Sequence, residues 1–282
     1  DRYRARDAAA AVEISYDERE AVVDARAARA EDAPTLYESA PDNVAVTAEL
    51  GDESETAAAF EDADRVVEVD LVNNRLIPNA LEPRAAVAAY DAGDERLTVT
   101  LTSQSPHGHR GKLATTLGMA ERDIRVIAPD VGGGFGHKGH HHPGEAAASI
   151  AAMDLACPVK WTATRGENYV AGAHGRDHQT RAELAVDDDG TVRALRVDTD
   201  ANVGGYGLGG SVAMPGWYGS LLSCQYDFDA IYCETRSVFT TTTPIHSYRG
   251  AGRPEAVYVT ERLLDVAARE LGIDPADCGG GT

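Results

Sequence analysis

Lysine is nearly missing from this chain: Lys112, Lys138 and Lys160 are the only three among 282 residues, and every other basic residue is arginine. Acidic residues number 46, and the formal net charge is −20. Such a surface repels phosphate backbones and anionic lipid headgroups, which argues against nucleic acid or a membrane surface as partner. Salt screens the self-repulsion, so a high-salt (halophilic) cytoplasm is the expected setting. The charge is uneven, with 20 acidic and 7 basic residues in positions 1–70. Long apolar runs are missing too, and none approaches the roughly 20 residues that a membrane-spanning helix needs. Cys157, Cys224, Cys233 and Cys278 form no Cys-x-x-Cys pair or other zinc spacing. Reduced thiols in a cytoplasm are expected, with a Cys224–Cys233 bridge as the alternative. No signal peptide opens the chain, and its first residue is Asp rather than Met. A piece cut from something longer is the expectation.

What is present is a chain with the length and apolar content for one large or two medium globular domains. Residues 1–30 contain strand-like Val12-Glu13-Ile14 and Ala21-Val22-Val23, and 31–60 is acidic, turn-rich and weakly patterned, as a linker would be. From Asp64 onward the pattern sharpens. Strands are expected at Val66–Val69, Ala85–Tyr90, Arg96–Thr102, Arg125–Ala128 and Val159–Thr164. Helices are expected at Pro106–Leu117, at Ala146–Leu155 and at Val257–Leu271, the last with Pro254 in its first turn and Gly272 at its C-cap. Asp-Gly at 189–190 marks a hairpin inside Arg176–Asn202. Strand pairs alternating with single helices predict an α+β fold.

Three polar, glycine-rich corners end strands: Ser103-Gln104-Ser105-Pro106-His107, the loop Asp130–Lys138, and Tyr248-Arg249-Gly250-Ala251-Gly252-Arg253. Strand, glycine loop and helix N-terminus in that order suit an anion, because glycines let successive N–H groups converge and the helix adds its positive end. The spacing is neither G-x-G-x-x-G nor a P-loop. Gln104 can donate and accept at once, and Arg249 is a cationic fork. Each corner has a plainer reading as a cap, a turn or a surface ion pair. His137, His140, His141 and His142 invite a metal, but Gly139 and Pro143 disfavour the helix that would align them. A polar loop is the reading, with a metal site as the alternative.

With these corners in order, the sequence resembles the molybdenum-cofactor-binding large subunit of the xanthine dehydrogenase/aldehyde oxidase family, in the branch named after aerobic carbon monoxide dehydrogenase. The resemblance runs through DRYRARDAA, NRLIPNALEPRAAVA, LTSQSPH, VIAPDVGGGFGHK, PVKWTATRGE, GRDH and YRGAGRPEAVYVTERLLDVAARELGIDP. Several long motifs in one order make it specific. It implies a tail of an α/β hammerhead domain over residues 1–30, an acidic linker over 31–60, and a first molybdopterin-binding domain over 61–282. It also implies molybdenum held by molybdopterin cytosine dinucleotide. Gln104 would hydrogen-bond the metal's oxo group, and Gly132, Gly133, Gly134, Phe135 and Gly136 would approach pterin and metal. Arg249 would lie near the substrate; the resemblance makes Gln104 and Arg249 the catalytic candidates and places Arg249 and Gly250 among the cofactor-binding residues as well. The implied reaction is metal-hydroxide attack on an aldehyde or N-heterocycle with hydride transfer, electrons leaving through iron–sulfur and FAD subunits.

Three departures narrow this. Gly250 stands where carbon monoxide dehydrogenases carry a copper-binding cysteine, and Gly139 stands where purine oxidisers carry a glutamate. Either substrate is therefore disfavoured. His137, and the HHHPGE after it, are unusual for the family. The half that carries the family's glutamate base lies outside the chain, so the isolated chain is expected to show no turnover. The alternative is a non-catalytic remnant, or a module binding a metal or partner subunit. Asp277-Cys278-Gly279-Gly280-Gly281-Thr282 stands where relatives continue Asp/Glu-Leu-Arg-Arg-Arg-Asn. Deleting one C from GAC CTG CGG CGG CGG AAC yields this ending, so a single-nucleotide frameshift is expected there, and resequencing across those codons tests it.

Overall fold

A computed structural model describes residues 1–278. Residues 279–282 lie outside the described residues, and the frameshift expectation falls largely on them. In chain order the elements begin with α1 (Arg2–Ala10), α2 (Ala25–Ala28), β1 (Val44–Gly51), α3 (Glu53–Asp62) and β2 (Arg65–Asn73). Next come β3 (Ala85–Asp91), β4 (Arg96–Leu101), α4 (Pro106–Leu117), β5 (Ile124–Ile127) and α5 (Pro143–Leu155). They are followed by β6 (Val159–Thr162), α6 (Arg165–Val170), β7 (His178–Val186) and β8 (Val192–Gly204). The last are α7 (Met214–Gly219), β9 (Ala230–Phe239) and α8 (Arg253–Leu271).

These elements build two sheets, ordered β1-β9-β8-β7-β2 and β5-β4-β3-β6. The second follows from alternation: Leu97, Val99 and Leu101 of β4 turn inward against Leu113 of α4 and Ala152 of α5. In the first sheet, Leu184, Leu195 and Val197 meet Val259, Leu263 and Leu264 of α8. Ala256, Val259, Leu263 and Ala267 of α8 recur at three- and four-residue spacing, which gathers the buried residues on one face of the helix. Each fully buried leucine contributes roughly 1.5–3 kcal/mol. Pro254 lies in the first turn of α8, and Gly272 ends it at φ +73°, in the left-handed region that glycine favours. The α+β architecture is mixed in sense, since β4–β5 and β8–β9 are parallel and the remaining pairs antiparallel.

Two expectations for the first 60 residues need correction. The stretch expected to be a linker contains β1, which pairs antiparallel with β9, and most of α3, whose N-cap Asp52 accepts from the Glu55 amide at 2.9 Å. An edge strand takes its order from backbone bonds to one neighbour, so its apolar pattern can be faint. Val12–Ile14 and Ala21–Val23 form no strand: α1 precedes an extended segment in which Val12 and Ile14 are each 63% exposed. All four cysteines are free, Cys224 and Cys233 included.

Candidate functional site

The fold brings the three corners together. Gln104, just beyond β4, is held by the glycine loop: its Oε1 accepts from the Gly136 amide at 2.9 Å and the Lys138 amide at 3.2 Å. Two donors at that end fix the carboxamide's orientation and leave Nε2, the donor end, with no partner among the described residues. Gly134 lies against this side chain, where a Cβ would come within 2.3 Å of Gln104 Oε1. Gly136, at φ +96°, lies against the third corner, where a Cβ would meet Ser247 O at 1.9 Å. The Arg249 amide donates to Phe135 O at 3.1 Å, and its guanidinium stands 5.9 Å from the Phe135 ring centroid. Gln104, Phe135, Arg249 and Gly250 are all exposed.

The loop's amides divide in two. Gly132 donates to Glu82 Oε2 at 2.7 Å, Gly133 to Val131 O, and Gly136 to Gln104. The Gly134 and Phe135 amides donate to nothing among the described residues. Lys138 is not a ligand-facing cation: its buried ammonium donates to Glu82 Oε2 at 2.9 Å. Burial works against ionised Glu82, yet the bonds from Lys138 and Gly132 prevail and hold its pKa below the ordinary carboxylate value.

Behind the loops lie two buried arginine–glutamate pairs. Arg84 Nη1 meets Glu145 Oε1 at 2.7 Å, and Arg84 Nη2 donates to the carbonyls of His137 and His140. Glu145 Oε2 accepts from the His142 amide at 3.1 Å and lies 3.0 Å from His141 Nδ1. Burial pushes the Glu145 pKa up, but His141 and Arg84 outweigh it and keep the carboxylate below its ordinary value. His109 ties this cluster to the first corner, since its Nδ1 lies 2.8 Å from Ser103 Oγ and its Nε2 3.1 Å from His140 O. The second pair serves the third corner. Arg176 Nη1 donates to Glu255 Oε1 at 2.9 Å and Tyr248 O at 2.8 Å, while Nη2 donates to Arg249 O at 3.1 Å.

Glu145 corrects one expectation. The N-terminus of α5 is already closed by a capping box between His142 and Glu145, so the anion at that helix end is the protein's own carboxylate. The histidine run belongs to the same interior, and no group of three or more potential metal ligands occurs among the described residues. His137, His140 and His142 are buried, and burial, followed by repulsion from Arg84, lowers the pKa of each.

This burial has a pH consequence. His142 is pushed down to about 4, and His178 in β7 also to about 4, by burial first and then by Arg84 and Arg176 respectively. Unfolding returns both to about 6.5. Below that pH the unfolded chain binds more protons than the folded one, so stability is full above pH ~6.5 and falls between about 6.5 and 4. Urea denaturation at pH 7 and pH 5 is expected to differ by on the order of 2–3 kcal/mol, allowing for partial solvation of His142. Equal midpoints would contradict the assignment.

Arg84, Glu145, Glu82, Arg176 and Glu255 received no role from the sequence, although the motifs NALEPR, GRDH and GRPEA contain four of them. Glu145 had a readable signal, standing three residues after His142 at the head of an alanine-rich run.

Against known proteins, the profile of the molybdopterin cofactor-binding domain family matches residues 36–278. The carbon monoxide dehydrogenase large chain of Hydrogenophaga pseudoflava is 35% identical over 98% of this chain and 36% of its own length. Among solved structures, Cu,Mo-CO dehydrogenase in its carbon monoxide reduced state superposes with a TM-score of 0.92 at 32% identity, covering 98% of this chain and 37% of that one. Quinoline 2-oxidoreductase from Pseudomonas putida 86 gives 0.90 at 30%, covering 99% and 35%. The chain thus spans little more than a third of these relatives' length. By its profile and its superposition alike, this chain belongs to the molybdopterin cofactor-binding domain family.

Proposed function

We propose that this chain forms one wall of the cofactor cleft in the large subunit of a molybdenum hydroxylase. The observation that carries this reading is the set of donors on one exposed face: Gln104 Nε2 and the Gly134 and Phe135 amides, all without partners among the described residues. A donor-rich, acceptor-poor face fits a group bearing oxo and pterin oxygens. Gln104 and the Gly132–Gly136 backbone, with Phe135 at its centre, would hold it, with Arg249 near the substrate. The bound cofactor would supply the two-electron oxidation chemistry that no side chain here offers. The chain's own residues orient it: Gln104 presents a fixed donor, Gly134 leaves room for that side chain, and the arginine–glutamate pairs hold the loops.

The cytosine dinucleotide form, iron–sulfur and FAD partner subunits, and an aldehyde or N-heterocycle substrate belong to the same proposal. A relative named for quinoline supports the heterocycle. Gly250 has no side chain and takes φ +96°, so this turn offers no thiolate to a second metal. Residues 1–30 as a hammerhead tail remain part of the reading. The cofactor domain, though, is better begun near residue 36, because β1 is integral to the larger sheet. Free cysteines and an acid-rich surface support a cytoplasmic, high-salt setting.

The test is cofactor content. Purified from a host that makes the cofactor, the chain is expected to carry molybdenum and pterin, to release CMP on mild acid hydrolysis, and to lose at least tenfold of both in Gln104→Leu. Equal content in the two proteins, or none in the parent, sinks the reading.

A further inference from the structure

Between the start of α4 and β5 runs a groove of about 550 Å³, and it is basic on a chain whose net charge is −20. Arg96, Arg110, Arg122 and Arg125 line it, with His107 beside them and Glu121 as the one carboxylate. Glu121 is already held by Arg110 at 3.0 Å, and Arg122 lies 3.7 Å from Asp123. Arg96 donates to the Arg122 carbonyl at 3.3 Å, and the exposed Arg125 makes no ion pair or side-chain hydrogen bond among the described residues. Two arginines without carboxylates, in a chain of 46 acidic and 26 basic residues, leave a local field that favours an anionic guest. The same groove borders a sheet edge. β5 pairs with β4 alone, in parallel and in continuous register. Every second residue of an edge strand turns its N–H and C=O away from the sheet, where another strand can pair. The other edges differ in charge: β1 carries Glu49, β2 carries Glu68 and Asp70, and β6 has a single lysine.

We propose that this groove docks an acidic, extended segment of a partner protein, which adds to the free edge of β5 as a strand and sets its carboxylates against the four arginines. Edge and charge each narrow the occupant. The edge calls for backbone N–H and C=O groups, which a small anion lacks. The arginines call for carboxylates, which a neutral or basic strand lacks. A charge on an edge strand commonly guards against aggregation, yet a cation deters only strands that do not complement it. A second copy of this chain would bring a net charge of −20 against another −20, a long-range repulsion that one short strand must overcome. The paired stretch is short, because β5 spans Ile124–Ile127 and Pro129 follows soon after with no N–H to offer. Affinity therefore rests on the carboxylates as much as on the backbone. The inference needs no cofactor, and it stands or falls apart from the cleft reading.

The probe is a fluorescent peptide alternating glutamate and valine, titrated against the full chain at low salt and followed by polarisation. Its control alternates glutamate and proline, which keeps the charge and removes the N–H groups that a strand donates. The first peptide is expected to bind at least tenfold more tightly than the second, to lose at least tenfold in Arg125→Glu, and to slow amide exchange within Ile124–Ile127. Equal binding of the two peptides would mean a site for anions in general and overturns the proposal. Absence of binding overturns it too, as does sedimentation that shows the chain associating with itself and dispersed by Arg125→Glu. Should Arg125→Glu fail to fold, exchange in the parent chain decides: β5 amides that the glutamate–valine peptide leaves unslowed refute strand addition.

Discussion

Arg84→Met is expected to destabilise the chain by roughly 3–5 kcal/mol, the range for removing one partner of a buried ion pair. Arg84 is 0% exposed and Glu145 is 0% exposed, so the carboxylate left behind has neither counter-ion nor bulk water. His141 and the His142 amide soften the loss but do not replace a guanidinium at 2.7 Å. For a chain of this size that corresponds to a fall in Tm of roughly 10 °C. The double variant Arg84→Met/Glu145→Leu is expected to regain at least half of the stability, since no unpaired charge remains. It should not regain the site, because the His137 and His140 carbonyls still lack the donors that Arg84 gave them. Thermal denaturation and cofactor content, measured on both variants, separate the two effects. A single variant as stable as the parent would show that the pair contributes nothing.

The second large effect concerns Gly136 and Gly134, two residues apart and sensitive for different reasons. Gly136→Ala is expected to be destabilising by more than 2 kcal/mol and to abolish cofactor retention. Its Cβ would sit 1.9 Å from Ser247 O and 2.6 Å from Ser247 C, and its φ of +96° is strained for any L side chain. Backbone meets backbone there, so one corner must move away from the other, and the Arg249–Phe135 hydrogen bond goes with it. Gly134→Ala meets a side chain rather than backbone, at 2.3, 2.4 and 2.6 Å from Gln104 Oε1, Cδ and Cγ. Gln104 can swing away, so stability is expected to change by under about 1 kcal/mol. Its fixed donor is lost even so, and cofactor content should fall as in Gln104→Leu. If both variants lose stability equally, the distinction between a backbone clash and a side-chain clash fails.

The elements legible in the sequence were those that carry their own local signal. Leu97, Val99 and Leu101 announce β4 by alternation, Asp189-Gly190 announces the β7–β8 hairpin, and Pro254 with Gly272 brackets α8. β1 has no such signal, because its order comes from β9, almost two hundred residues away. Of the three corners expected at strand ends, the first two do follow β4 and β5, whereas Tyr248–Arg253 stands nine residues past β9 and leads into α8; their convergence is a property of the fold. The supporting pairs were invisible for the same reason: Arg84 and Glu145 lie 61 residues apart, and Arg176 and Glu255 lie 79 apart. Spacing has no bearing on contacts of that range. The N-terminus of α5 is a place for a negative charge, as the glycine loop before it implies, and Glu145 rather than a ligand fills it.

The inward-turned histidine run makes the folded chain behave unlike its sequence on a nickel column. His137, His140 and His142 are 1%, 8% and 9% exposed. An affinity resin meets almost no accessible imidazole there, so native protein is expected to pass through without any added tag. Urea-unfolded protein, with the same histidines freed within a span of six residues, is expected to bind. Retention on immobilised nickel thus becomes a direct chromatographic assay of whether the cluster behind the glycine loop is intact.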